Sequence, residues 1–158
     1  MKEKQISQST INPQSNLTFS KSTIIVDTGA FIALFNRRDA AHLAAQKAFA
    51  ELQEPLITTF PVITETCYFL AETVSQTAQS KFLKSFVLEA FQIFDLQSNH
   101  IDPMVTLMEK YADLPMDMAD ASLVILAEHL NSGRILSIDR RDFSVYRWHN
   151  KPFENLLV

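Results

Sequence analysis

The sequence predicts an α/β fold, a parallel β-sheet covered by helices, and three observations carry that prediction. Short β-branched runs alternate with longer stretches of helical pattern. The first run, TIIVD (Thr23 to Asp27), is apolar through its interior instead of alternating, and the chain holds only 2 glycines in 158 residues. Alternation of strand and helix implies βαβ crossovers, which make the strands parallel and cover the sheet. A run without polar alternation suits a strand buried on both faces. Two glycines are too few for an all-β fold of tight hairpins, whose primed turns rely on glycine for positive φ.

After TIIVD the pattern becomes helical over Ala30 to Phe35 and again over Ala40 to Leu52, with a break around Asn36 to Asp39; Ala, Leu, Gln and Lys are good helix formers. LITTF (Leu56 to Phe60) reads as the second strand, and Pro61 stands where a first-turn proline starts a helix through Val62 to Thr73. Ser75 to Ala90 is helical, with Phe82, Phe86 and Ala90 spaced by four, and Phe91 to Leu96 is the third strand. His100 to Tyr111 is helical and is broken by Asp113 to Pro115. Met116 to Leu130 reads as the longest clean helix, with Ala119, Leu123, Val124 and Ala127 on one face. Asn131 to Gly133 ends it by supplying a residue that tolerates positive φ, and Arg134 to Asp139 is the fourth strand.

The 158 residues fit one domain, and 47% hydrophobic with 20% charged residues is the balance of a packed globule. We divide the chain into a flexible polar tail, residues 1–21, and one domain, residues 22–158. The tail, MKEKQISQSTINPQSNLTFSK, has no continuous apolar segment of the kind that leads a secreted protein. No apolar run reaches the 18 or so residues of a membrane span, so a soluble, cytoplasmic protein is expected. A single cysteine, Cys67, rules out an internal disulfide framework and reads as a buried, inert thiol. The net charge of −4 exerts no global pull on nucleic acid, although charge can be arranged locally. His42, His100, His129 and His149 lack metal-ligand spacing and read as surface or core residues.

The informative residues are acids. In IIVDTGAFIALF, Asp27 joins the first strand to a helix, so it lies at the carboxyl edge of the sheet, where an open α/β fold gathers its functional groups. An Asp-Thr-Gly can also belong to an aspartic protease, but that enzyme needs a β-rich fold and a second triplet, and neither is present. Glu65 lies in the first turns of the helix after strand two. Asp117 and Asp120 are three apart near the start of the long helix, and Asp139 ends strand four with Asp142 three residues on. Taken singly, each is explained as a helix cap or as compensation of the helix dipole. Asp120 is the hardest to explain so, since it borders the apolar face of its helix and a buried unpaired charge is costly. Together, carboxylates converging on one pocket would repel each other unless a hard dication neutralised them. Oxygen-only ligands select Mg²⁺ or Mn²⁺, and such an ion can activate water and clamp a phosphate oxygen.

The succession VDTGAFIALFN, PVITETCYFL, LPMDMADASLVILAEHL and ILSIDRRDFSVYR resembles a PIN-domain ribonuclease, closest to the bacterial VapC toxins of type II toxin–antitoxin modules. The match spans roughly residues 22 to 158, and ADASLV with ILSIDRRDF are its most specific blocks. The resemblance implies a three-layer α/β/α sandwich, a metal-dependent endoribonuclease acting on transfer or ribosomal RNA, a homodimer, and inhibition by a cognate VapB-type antitoxin. Carried over by position, the family's acids fall on Asp27, Glu65, Asp120 and Asp139, with Asp117 supporting and Asp142 the alternative to Asp139. Thr28 supplies the hydroxyl beside the first acid. Arg140 and Arg141 adjoin the site and, with Thr28, are candidates to touch RNA. With Arg134, Arg147 and Lys151, interleaved with Phe143, Tyr146 and Trp148, they look like a phosphate-binding and base-stacking surface, the alternative being a solvated edge with the aromatics in the core. Twelve phenylalanines are many for one domain, and some of them, in the Phe82 to Phe94 region, are expected to face a partner chain. A catalytically silent interaction module of the same fold is the competing function.

Overall fold

The computed structural model describes residues 22–114 and 116–157, so the proposed tail, residues 1–21, lies outside the described residues. The elements run β1 (Ile24–Val26), α1 (Thr28–Phe35), α2 (His42–Glu51), β2 (Leu56–Thr59), α3 (Phe60–Thr73), α4 (Gln76–Val87), β3 (Gln92–Phe94), a 3₁₀ turn (Ser98–His100), α5 (Ile101–Lys110), α6 (Met118–Leu130), β4 (Arg134–Leu136), α7 (Arg140–Val145), β5 (Arg147–Trp148), β6 (Lys151–Pro152) and β7 (Glu154–Asn155). Five strands form one parallel sheet in the order β3-β2-β1-β4-β7, and β5 with β6 makes a separate antiparallel ribbon.

The chain steps from β1 outward through β2 to β3, then returns past β1 to β4. With right-handed crossovers, that reversal puts α1 to α4 on one face and α5 with α6 on the other, which is the expected three-layer α/β/α sandwich. It also makes the gap between β1 and β4 the switch point, the place where a doubly wound sheet opens a crevice at its carboxyl edge. The two strands leave the sheet at one level, because Val26 pairs with Leu136 and the Asp27 N–H donates to the Leu136 carbonyl at 3.0 Å. The residues that follow them, Asp27 and Ser137 to Asp139, are therefore neighbours.

Local chemistry sets the helix starts. Asp27, Ser75, Asp117 and Asp139 cap α1, α4, α6 and α7, each with its side-chain oxygen accepting a backbone N–H of the first turn. Pro61 sits in the first turn of α3 as expected, although that helix already begins at Phe60 and, at 14 residues, exceeds the 13 of α6. Asn131 ends α6 in the left-handed conformation, φ 50° and ψ 40°. Gly133 does not share that task, since neither glycine has positive φ. It serves a close approach: a Cβ there would stand 1.9 Å from Trp148 Nε1.

The core runs along β1, β2 and β4 and around α6, which is buried over most of its circumference; Ala119, Leu123, Val124 and Ala127 all lie inside, joined by Ala121, Ser122, Ile125 and Leu126. The expectation that Phe82 to Phe94 face a partner chain is overturned. Phe82, Phe91 and Phe94 are buried, and Phe86 packs against them from the edge. The Phe31 ring centre lies 5.0 Å from both Phe82 and Phe91, so these rings fill the layer between α1 and α4. The aromatics of the last quarter are also internal: Phe143, Tyr146 and Trp148 are buried and offer no stacking surface, so the reading with the aromatics in the core holds. Cys67 is half-buried at the core's margin, less enclosed than expected. The fourth strand stops at Leu136, not Asp139, and α7 with β5 to β7 follows where no element was predicted.

Candidate metal centre

Six carboxylates, Asp27, Glu65, Asp117, Asp120, Asp139 and Asp142, line a single cavity of about 320 Å³, together with Thr28 and the apolar side chains Ile32, Phe69 and Ile138. No lysine or arginine lines it. Four segments supply the acids: the β1–α1 junction, the second turn of α3, the start of α6, and the β4–α7 junction with its helix. The backbone geometry already described brings them together, since β1 and β4 end side by side and the first turns of α1, α6 and α7 point their N-termini inward, where the helix dipole favours negative charge. Every acid predicted from sequence thus lies on one pocket wall.

Each of three acids is tied to a hydroxyl. Ser137 Oγ donates to Asp27 Oδ2 at 2.7 Å, Thr28 Oγ1 to Glu65 Oε2 at 2.5 Å, and Tyr146 Oη to Asp120 Oδ2 at 3.2 Å. Asp27 Oδ1 also accepts the Thr28 N–H at 2.7 Å. Asp117 Oδ1 accepts the Asp120 N–H at 2.9 Å, and Asp139 Oδ1 the Asp142 N–H at 2.8 Å, so both are caps as well as pocket acids. The two explanations weighed for these residues coexist, because a carboxylate has about four lone-pair sites and a cap uses one.

Electrostatics separates this cluster from ordinary caps. Burial pushes Asp120 up to about 8, reinforced by the charges of Asp117 and Asp27 and opposed by the Asp117 backbone and the Tyr146 hydroxyl. Burial likewise raises Asp27 to about 6, against the lowering effect of its bonds from Ser137, Thr28 and Gly29. Glu65 is raised too, mainly by desolvation, with Asp117 and Asp27 adding to the effect. Carboxylates held in this state are short of positive charge, which a hard dication would supply. The donor set, oxygen alone and acidic, fits Mg²⁺ or Mn²⁺. Among the described residues no three acid, histidine or cysteine side chains form a ready-made metal cage.

Thr28 stands in the pocket, where it holds Glu65. Arg140 and Arg141 are exposed in the first turn of α7 and do not line the cavity; Arg141 Nε pairs with Asp142 Oδ1 at 2.7 Å. Arg134 is engaged elsewhere, bonded to Glu54 at 3.0 Å and to the Ser22 carbonyl, and Arg147 ties three carbonyls at the end of α7. The continuous basic surface expected of the last quarter is not formed. Sequence reasoning missed Ser137 and Tyr146. Ser137 had a signal, standing two residues before Asp139 at the strand exit, whereas nothing local marked Tyr146. A larger apolar groove of about 980 Å³ shares Glu65 and Asp117 with the acidic pocket and is bordered by Phe60, Tyr68, Ile101 and Met118.

Comparison with known proteins agrees with this architecture. The family model described as PIN domain matches residues 24–148. The chain is 28% identical over 124 residues to Ribonuclease VapC26 of Mycobacterium tuberculosis, an alignment covering 78% of this chain and 92% of that protein. Among solved structures it is similar to the Mycobacterium tuberculosis toxin VapC20, which cleaves the sarcin–ricin loop, with a TM-score of 0.74, 18% identity, and 82% and 98% of the two chains covered. It is also similar to VapBC2 of Rickettsia felis bound to a promoter DNA fragment, with a TM-score of 0.60, 15% identity, and 84% and 98% coverage.

Proposed function

The chain belongs to the PIN domain family, and from that premise we propose that it is a Mg²⁺- or Mn²⁺-dependent endoribonuclease, the toxin of a VapBC-type toxin–antitoxin module. The observation that carries the reading is the single cavity walled by six carboxylates and free of basic side chains. The 28% identical relative is named a ribonuclease, and one structural neighbour is named a toxin that cleaves the sarcin–ricin loop, which supports RNA as the substrate; within that class the proposal is transfer or ribosomal RNA. The other neighbour is a VapBC complex, which supports a VapB-type antitoxin as partner. No helix among the described residues is long and apolar enough to cross a membrane, in keeping with action in the cytoplasm. A homodimer completes the proposal.

In this mechanism Asp27, Glu65, Asp120 and Asp139 would hold the dication, with Asp117 in support at the mouth. The ion, when bound, supplies a polarised water and a positive centre for the phosphate. The chain's own residues do the rest. Thr28 and Ser137 fix the Glu65 and Asp27 carboxylates by the bonds at 2.5 and 2.7 Å, so the site is organised before substrate arrives. Glu65 and Asp120, whose protonated forms are favoured by burial, are placed to carry a proton when not engaged by the ion. Ile32, Phe69 and Ile138 form an apolar rim that limits water at the reacting phosphate. Arg140 and Arg141, outside the acidic wall, meet the RNA backbone without neutralising the acids.

The test is cleavage of purified transfer and ribosomal RNA. Activity is expected with Mg²⁺ or Mn²⁺ and is expected to vanish with excess EDTA. Cleavage at full rate in EDTA would remove the metal mechanism, and no cleavage under any condition would favour the silent interaction module.

A further inference from the structure

The three hydroxyls tied to the acids differ in kind. Thr28 and Ser137 are next to or near metal-site acids in the chain, and Thr28 also lines the cavity. Tyr146 does not line it. It is fully buried at the end of α7, its N–H bonded to the Asp142 carbonyl at 2.9 Å. Its ring meets Tyr111 edge-on at 5.0 Å and Phe143 at 5.6 Å. The next residue is anchored as well, since the Arg147 N–H donates to the Tyr111 hydroxyl at 3.1 Å. The phenol is thus gripped on two sides and delivers a single polar atom, Oη, to Asp120 Oδ2 at 3.2 Å.

We infer that Tyr146 is a positioning residue of the proposed metal centre, which fixes the Asp120 carboxylate from beneath the pocket so that the acid is presented to the cation in one orientation. The inference rests on the proposed metal-dependent function. The physical argument is preorganisation. A carboxylate on a helix has rotamers to lose when it captures an ion, and a donor fixed by its own packing removes part of that cost before binding. Hydrogen-bond partners of metal ligands characteristically change metal affinity by about 10–100-fold when removed. The bond is long for a hydroxyl on a carboxylate, where about 2.5–2.7 Å is usual, so it steers Asp120 without competing strongly with a cation for the same charge. Tyr146 does not line the cavity, and therefore its effect must pass through Asp120.

Tyr146→Phe removes the hydroxyl and keeps the ring. In the metal-stripped full-length chain, calorimetric titration with Mn²⁺ is expected to show a Kd raised about tenfold, with kcat for RNA reduced at saturating substrate and KM for RNA unchanged. Parallel titration of Asp120→Asn separates the two levels of the argument. If the parent binds Mn²⁺, Asp120→Asn loses it and Tyr146→Phe matches the parent within twofold in Kd and kcat, the positioning role is overturned and the metal site stands. If the parent binds no Mn²⁺, both fall. Tyr111→Phe controls for general loosening, since it removes the anchor for the Arg147 N–H and leaves the Tyr146 hydroxyl in place. An equal loss of Mn²⁺ affinity in that variant would also overturn the assignment.

Discussion

Asp120 shows how one side chain can serve function at the expense of stability. Its carboxyl titrates near 8 in the folded chain against 3.8 for an ordinary aspartate. Below the lower value both folded and unfolded states hold the proton. Between the two values the unfolded chain has lost it while the folded chain retains it, so stability of the metal-free protein falls as pH rises from about 4 to about 8. Asp120→Asn removes that dependence and keeps the size and most of the hydrogen bonding. In EDTA, the variant is therefore expected to melt higher than the parent at pH 8, by about 1–2 kcal/mol once screening at the pocket mouth is allowed for, with the gain fading towards pH 4. It is also expected to lose RNA cleavage and toxicity while folded. Thermal melts at both pH values and a cleavage assay test this; a folded variant that cuts RNA at the parental rate would make Asp120 structural. The last two acids separate in the same way. Asp139→Asn keeps the α7 cap and is expected to be folded and inactive, whereas Asp142→Asn, which loses an ion pair with the exposed Arg141, is expected to retain more activity.

At the scale of elements, the sequence was read well wherever a pattern was long enough to have a period. Strands β1 to β4 and helices α1 to α6 were all anticipated, with ends shifted by a few residues where caps decided them. What was not legible depends on contacts distant in sequence. Strand β7, the fifth in the sheet, is two residues long and exists because Glu154 and Asn155 pair with Arg134 and Ile135. Helix α7 is six residues, too short for a period to show. The phenylalanines from Phe82 to Phe94 were misread because a spacing of four identifies a face but not what covers it. The acids were legible because strand ends and first turns are places a sequence can mark, whereas Tyr146 reaches Asp120 across 26 residues. The glycines make this contrast testable. A Cβ at Gly133 would meet the Trp148 ring, which is buried and held by its Nε1 bond to the Pro152 carbonyl at 3.0 Å. Gly133→Ala is therefore expected to cost about 1–3 kcal/mol in a melt. At Gly29 the obstacle is the exposed Ile138 side chain, which can rotate away, so Gly29→Ala should cost less. Equal losses would mean that Trp148 yields as readily as Ile138.

At the scale of the whole molecule, one group of exposed apolar side chains lies beside the acids, while Leu43, Val87 and Leu88 are exposed elsewhere. Phe60, Tyr68, Ile101 and Met118 are 58%, 63%, 50% and 48% exposed, and all four border the groove of about 980 Å³ that shares Glu65 and Asp117 with the acidic pocket. Scattered exposed apolar side chains need no explanation, but several around one concave surface mark a place where another surface fits. If the proposed homodimer forms, this groove is a candidate for its face in place of the phenylalanines. A second copy seated there would remove these side chains from water and build a wall at the mouth of each acidic pocket, beside Glu65 and Asp117. The parent is accordingly expected to sediment at twice 18.0 kDa, and Tyr68→Ser combined with Ile101→Ser to sediment at 18.0 kDa with its melting temperature little changed, since both side chains are already largely in water. Because the mouth of the site would lose its wall while the metal ligands remain, the monomeric variant should bind Mn²⁺ like the parent and show its defect in KM for RNA rather than in kcat. A parent that sediments at 18.0 kDa at every concentration would eliminate the dimer, and a dimer that survives both substitutions would move its interface away from the groove.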